Sequence, residues 1–251
     1  MTIHQIYEVK PGARISRTVQ RWMDTVRSAV RSGDVYKLWN DSRGINAFVK
    51  GNFPALYDRY KALPYNVQRW DLLRLMILYV EGGVYFDSDV EVFGTFETEG
   101  IFGTASKASV VFGLEPEKHA FDFERRPFLI GTYFIYAEPG NEFLKYLIDS
   151  IFAEINIVHS THNPTQIMKS TGPAKITELY NRYPKKFEVS LLPSEYFSPL
   201  TAKETKRYAM GEYFSQAENA VGIHYYCGSW VESSENKDEI ELLEFLKRKR
   251  N

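Results

Sequence analysis

The chain has 251 residues, 44% hydrophobic and 25% charged, which is enough apolar material for a full core and within the range that folds as one unit. Its formal net charge of −1, with a pI near 6.5, provides no basic field, so nucleic acid is not an expected partner. The start shows no cationic stretch followed by an apolar one, no segment approaches the roughly 20 apolar residues of a membrane span, and Cys227 is alone, so we expect a cytoplasmic protein without a leader or an internal disulfide.

In chain order, Thr2 to Tyr7 (TIHQIY) has a short β-like pattern, and Arg17 to Val30 carries apolar residues at helical spacing. Val35 to Asp41 predicts a second strand ending in turn residues. Val67 to Val80 predicts the clearest helix, with Asn66 as its cap and Gly82-Gly83 as its end. Val84 to Phe93 (VYFDSDVEVF) then predicts one continuous strand with acids at alternate positions. Phe128 to Ala137 predicts a buried strand, Glu142 to Phe152 a helix, and Ala174 to Tyr180 a helix after the Gly172-Pro173 turn. Ala220 to Trp230 predicts a strand running into a Gly-Ser turn, and Lys237 to Lys249 an amphipathic helix. The basic end of that helix suits its dipole, or a loose contact with an anionic membrane surface. The alternation predicts an α/β protein, and with no repeat or linker to divide it, residues 1–251 are expected to form one domain.

Chemistry concentrates at Asp87 and Asp89. In a strand, side chains two apart share a face, so two carboxylates would share one small volume and one would take up a proton unless a cation lay between them. Oxygen ligation favours Mg²⁺ or Mn²⁺, whose shells are commonly completed by substrate phosphates, which suggests a diphosphate ligand. The bland alternative is a solvated strand end carrying two acids. Three residues apart on the preceding helix, Asp71 and Arg74 share a face of an otherwise apolar element. They are either a structural ion pair or a device in which Asp71 accepts from sugar hydroxyls and Arg74 donates to sugar or diphosphate.

The segment RWDLLRLMILYVEGGVYFDSDV (Arg69 to Val90) resembles the DXD segment of glycosyltransferase family 32. That family includes yeast-type mannosyltransferases, α-galactosyltransferases and bacterial capsular-polysaccharide enzymes, and clostridial toxin glucosyltransferases carry a similar segment. TIHQIY resembles the family's opening strand, HYYCGSW (His224 to Trp230) its closing His…SW element, and Thr171 to Pro173 its TGP triplet. The resemblance implies a GT-A type fold with a Rossmann-like mixed central sheet flanked by helices, closed over the donor by a C-terminal loop and helix at about 228–251. It implies metal-dependent, retaining transfer of a hexose from a nucleotide-sugar, with UDP favoured and GDP open. The acceptor would be a glycan, lipid-linked or protein hydroxyl, in surface polysaccharide synthesis at or near the inner face of a membrane.

Carried over by residue, the resemblance implies that Asp89 ligates Mn²⁺ or Mg²⁺ and that Asp87 contacts both the ribose and the metal shell. Asp71 and Arg74 would hold the transferred sugar, and Tyr85 would line the donor pocket. His224 would lie near the metal or diphosphate, and Trp230 would touch the diphosphate from the closing loop. Tyr7 stands where the family usually has Trp and still permits stacking on a base; Thr132 stands where Asn is frequent. Each of the last site residues also has a plain reading, His224 as a satisfied strand histidine and Trp230 as core packing. Two other functions compete. One is a haloacid-dehalogenase-like Mg-dependent phosphatase, whose Asp-x-Asp element VYFDSDV matches locally although it normally opens its domain. The other is a non-catalytic sugar-nucleotide-binding protein, expected to have lost one of the two acids.

Overall fold

The predicted alternation of strands and helices resolves in the computed structural model, which describes residues 1–8, 15–94, 108–155 and 164–227. The elements are β1 (Thr2–Ile6), α1 (Arg17–Ser28), β2 (Val35–Trp39), α2 (Ser42–Asn52), α3 (Tyr57–Ala62), α4 (Asn66–Glu81), β3 (Gly83–Phe86), β4 (Val90–Val92) and β5 (Val110–Leu114). They continue with α5 (Glu117–Glu124), β6 (Ile130–Ala137), α6 (Glu142–Glu154), α7 (Pro164–Ser170), α8 (Pro173–Arg182), β7 (Val189–Leu192), α9 (Ala202–Ala209) and β8 (Gly222–His224).

Six strands form one sheet in the order β2-β1-β3-β6-β5-β7. β6 runs antiparallel to β3 and β5, while β1 is parallel to β2 and β3, and β5 to β7. This is the mixed α/β sheet flanked by helices expected of a GT-A type fold. The chain leaves β1 for β2 on one side and returns to lay β3 on the other, which makes the carboxyl ends of β1 and β3 a topological switch point. In open α/β sheets, crevices for ligands form at such points.

Side chains alternate across the sheet as the pleat requires. Tyr85, Phe112 and Ile135 face one core with α4 and α6, whereas Val84, Phe86, Val111 and Phe134 face a second with Val26 of α1 and Phe197. Helix α4 is apolar nearly all round, and Leu72, Leu73, Leu75, Met76, Ile77 and Leu78 are fully buried. It enters through Tyr65, whose N–H donates to the Gln68 side chain at 3.4 Å. Asn66 is therefore the first helical residue rather than the cap; its side-chain oxygen is taken by Arg69.

The exit from α4 depends on glycine. Gly82 and Gly83 have φ of 64° and 102°, and a Cβ on Gly83 would lie 2.1 Å from the carbonyl oxygen of Thr2 on β1. His4 fastens the same corner: Trp39 Nε1 donates to its Nδ1 at 3.3 Å, so its Nε2 carries the proton and donates to the Gly82 carbonyl at 3.0 Å. Burial lowers the pKa of this ring and keeps it neutral.

The stretch Val84 to Phe93 is not one strand. β3 stops at Phe86, Asp87 N–H makes a last bond to Tyr133 O at 2.8 Å, and a turn closes with Val90 N–H on Asp87 O at 3.2 Å. The chain then resumes as β4 and pairs antiparallel with β8 in a separate two-stranded sheet, Val90 opposite His224. Asp and Ser favour turns because their side chains compete for local backbone, and this tendency outweighs the β-branched residues on either side. Among the described residues no helix is long and apolar enough to cross a membrane. Trp230 and the helix expected at Lys237 to Lys249 lie outside the described residues.

Gly83→Ala combines a left-handed φ with backbone overlap on β1, and we expect it to cost about 2–5 kcal/mol of stability. Urea unfolding checks this as a lower midpoint at unchanged slope; a loss below about 0.5 kcal/mol would contradict the close approach.

Candidate active site

Apart from Trp230, every predicted site residue lines one cleft of about 750 Å³: Tyr7, Asp71, Arg74, Tyr85, Asp87, Asp89 and His224. Tyr7 follows β1 and Asp87 follows β3, so the cleft opens at the switch point. Helix α4 brings Asp71 and Arg74 beneath the end of β3, and β8 brings His224 beside the turn.

Arg74, nearly fully buried, organises one half. Its Nη2 pairs with Asp71 Oδ1 at 3.0 Å and its Nη1 with Asp87 Oδ1 at 2.9 Å. Nη1 also donates to Thr132 O at 2.8 Å, and Nε to Trp70 O at 3.4 Å. The Tyr85 hydroxyl donates to the same Asp87 oxygen at 2.8 Å, and the guanidinium carbon lies 5.0 Å from the centre of the Tyr85 ring. Thr171, from the TGP triplet, donates to Asp71 Oδ2 at 2.8 Å. The two readings of the Asp71–Arg74 pair thus meet in one place, since the pair is a buried tie between helix and sheet that also borders the cleft.

Asp89 belongs to the other half. Its Oδ2 accepts from Cys227 N–H at 2.8 Å, its carbonyl accepts from Tyr225 N–H at 2.9 Å, and its Oδ1 lies 3.5 Å from His224 Nε2. One ligand atom each from Asp87, Asp89 and His224 fall within 4.8 Å of one another. The acids converge through the turn, with Asp87 anchored toward α4 and Asp89 toward β8, and not through the pleat of a shared strand.

Electrostatics matches this geometry. Burial pushes the Asp71 carboxyl up to about 6, against Arg74 and Thr171. Burial also raises Asp87, opposed by Arg74 and reinforced by Asp89. For Asp89, burial is outweighed by His224 together with the backbone N–H groups, the Cys227 N–H among them, and its pKa falls. Burial would lower His224, but Asp89 and the other nearby acids raise it; burial opposes the Arg74 charge, and Asp87 leads the acids that hold it well above its ordinary value. Two carboxylates in one desolvated volume therefore depend on nearby positive charge.

The residues fit a divalent cation. The donor set is two carboxylates and an imidazole, and His224 Nδ1 is buried without a hydrogen-bond partner among the described residues. The set suits Mn²⁺ or Mg²⁺ on its carboxylates, and ligation would require the imidazole to give up its proton.

Several residues in or behind the cleft carried no sequence signal. Glu115 after β5, His119 of α5 and Ser198 meet Tyr226, whose φ of 52° is rare for a bulky residue. Tyr226 lies inside HYYCGSW, where only the histidine and tryptophan drew attention. Thr171 was visible as part of a triplet, but its partner Asp71 lies 100 residues away in sequence.

Residues 12–104 match the family model for the glycosyltransferase sugar-binding region containing the DXD motif. The chain is related to glycosyltransferases. Over 76 residues it is 37% identical to inositol phosphoceramide mannosyltransferase 1 of Schizosaccharomyces pombe, covering 28% of this chain and 24% of that one. Over 207 residues it is 28% identical to an uncharacterized glycosyltransferase of Acanthamoeba polyphaga mimivirus, covering 78% and 72%. The chain spans about a quarter of the length of the fission-yeast mannosyltransferases it matches. A solved glycosyltransferase involved in glycosylation of the major capsid of PBCV-1 aligns with a TM-score of 0.49 at 11% identity, over 96% of this chain and 97% of that one.

Removing Arg74 leaves the buried Asp71 and the half-buried Asp87 without their shared cation, so Arg74→Ala is expected to cost about 2–4 kcal/mol in denaturant unfolding. A cost below about 1 kcal/mol would show that the two acids do not depend on it.

Proposed function

We propose that this chain is a cation-dependent glycosyltransferase that moves a hexose from a nucleotide-diphosphate sugar to a hydroxyl acceptor. The supporting observation is the meeting of Asp87, Asp89 and His224 ligand atoms within 4.8 Å, in a cleft of about 750 Å³ that Arg74 and Asp71 also line. The DXD triplet falls inside the stretch that matches the sugar-binding region.

In this reading Asp89 and His224 hold Mn²⁺ or Mg²⁺, with Asp87 contributing to the shell and to the ribose. The cation supplies positive charge where the diphosphate departs. Arg74 fixes Asp87 through Oδ1 and adds its own buried charge to the same region, a preorganised stabilisation of the developing anion. Asp71 uses one lone pair of each oxygen on Arg74 and Thr171, which leaves a second on each for a sugar hydroxyl. Tyr7 supplies a ring for the base and Tyr85 a wall of the donor pocket, with UDP favoured over GDP. Transfer proceeds with retention: the acceptor oxygen bonds to the anomeric carbon on the face the diphosphate leaves, and the hydroxyl proton passes to the departing diphosphate oxygen.

We extend the reading to residues 1–251 as one GT-A type catalytic domain of family 32, serving surface polysaccharide synthesis from the cytoplasm, with at most peripheral membrane contact. The lone Cys227 is in keeping with a reducing compartment.

A panel of UDP- and GDP-hexoses with Mn²⁺, followed as nucleotide release by slow hydrolysis, tests this without an acceptor. We expect release from at least one donor, stopped by EDTA and reduced on the order of 100-fold or more in Asp89→Ala at unchanged circular dichroism. Undiminished release by that variant would overturn the cation assignment.

A further inference from the structure

Across the His224 ring from Asp89 the cleft has a second polar wall. Glu115 is 8% exposed, borders the cleft, and has no Lys or Arg within ion-pair distance among the described residues. Its Oε2 accepts from the Tyr226 hydroxyl at 2.6 Å and lies 3.5 Å from His119 Nδ1. Ala202 N–H donates to His119 Nε2 at 2.9 Å, which places the ring proton on Nδ1, facing Glu115. The Tyr226 hydroxyl already donates to Glu115, so its bond with Ser198 makes Ser198 the donor there.

The other carboxylate oxygen is open. Among the described residues nothing donates to Oε1, nor is it sealed from solvent, and it lies over Gly131, where a Cβ would approach it to 2.9 Å. A buried carboxylate held by neutral donors on one oxygen, with the other facing a cavity, presents an unused strong acceptor. Tyr226 and Tyr133 lie 4.0 Å and 4.8 Å from the His224 ring, so this oxygen is separated from the candidate cation site by a layer of aromatic rings.

We propose that Glu115, with the partly exposed ring of Tyr226, forms a subsite for a hydroxyl of a neutral polyol, the acceptor side of the reaction; this rests on the glycosyltransferase reading. The wall carries the wrong sign for a diphosphate, because Glu115 is joined on it by Asp122 and no cationic side chain offsets either within ion-pair distance among the described residues. Nor does Glu115 join the group of prospective metal ligands. A sugar hydroxyl suits the open oxygen, since it donates to a carboxylate while the ring's C–H face packs on Tyr226. Glu115 acts here as a binding residue that orients the hydroxyl beside the donor, and no bond to it forms or breaks.

The test uses the full chain with Mn²⁺ and either UDP or GDP, and the methyl pyranosides of glucose, galactose and mannose plus myo-inositol as probes. Saturation-transfer NMR should detect at least one probe on the wild type, with affinity about tenfold weaker in Glu115→Gln, the loss expected for a charge-assisted hydrogen bond. Binding of the Mn²⁺–nucleotide pair, by calorimetry, should stay within twofold. Glu115→Asp keeps the charge but withdraws it by one methylene, and should lose probe binding even if Glu115→Gln fails to fold. Equal probe binding in wild type and a folded variant, or no probe bound by the wild type, would overturn the subsite. Failure of the wild type to bind either nucleotide with Mn²⁺ would instead overturn the donor reading.

Discussion

Arg74 is a nearly fully buried cation shared between Asp71, one turn back on its own helix, and Asp87, at the end of the neighbouring strand. A guanidinium in such surroundings is tolerable only when its donors are matched, and here two carboxylates and two backbone carbonyls match them. The arrangement requires α4 to run directly under β3. That in turn requires an apolar helix with no solvent face over Leu72 to Leu78, and a tight return into the sheet at Gly82 and Gly83. The local backbone oddities therefore follow from one electrostatic demand.

The same demand explains why Asp87 and Asp89 differ although they are two residues apart. Asp87 answers to Arg74 and Tyr85 on the α4 side, while Asp89 answers to His224 and the Cys227 amide on the β8 side. Their pKa values move in opposite directions: burial prevails at the first, while at the second burial is outweighed by His224 and the backbone N–H groups acting together. Two carboxylates with different supports are poised for different tasks, as in sites where neighbouring acids are separated by environment.

Much of this was legible in the sequence, and the boundary of legibility is physical. Periodicity located α1, α4, α6, α8 and the strands β1, β2 and β6, because each has a face or a run whose burial is coded locally. The short segments β5, β7, α3, α5, α7 and α9 carried no comparable pattern. Their formation is decided by what they pack on: β7, for example, exists as the edge partner of β5. The site divides in the same way. Asp71, Arg74, Asp87 and Asp89 lie within one short stretch and could be grouped by spacing. Glu115 and Tyr226 reach the cleft from separate elements, Thr171 and Ser198 support cleft residues from others, and nothing in single-sequence spacing brings them together.

The misjudged strand over Val84 to Phe93 changes how the cleft is built. A continuous strand through Asp87, Ser88 and Asp89 would have fixed both acids to one sheet and to one rigid pleat. Instead, the turn hands the chain from the six-stranded sheet to the two-stranded sheet, and each acid is anchored on a different side of that junction. A cation bound by Asp87, Asp89 and His224 would therefore add a tie between the α4–β3 unit and the β4–β8 unit beside the three-residue turn. It would also act on Tyr226, whose ring lies against His224 and whose hydroxyl reaches Glu115. The candidate cation site and the Glu115 wall thus share one aromatic partition, so filling the first would set the shape of the second.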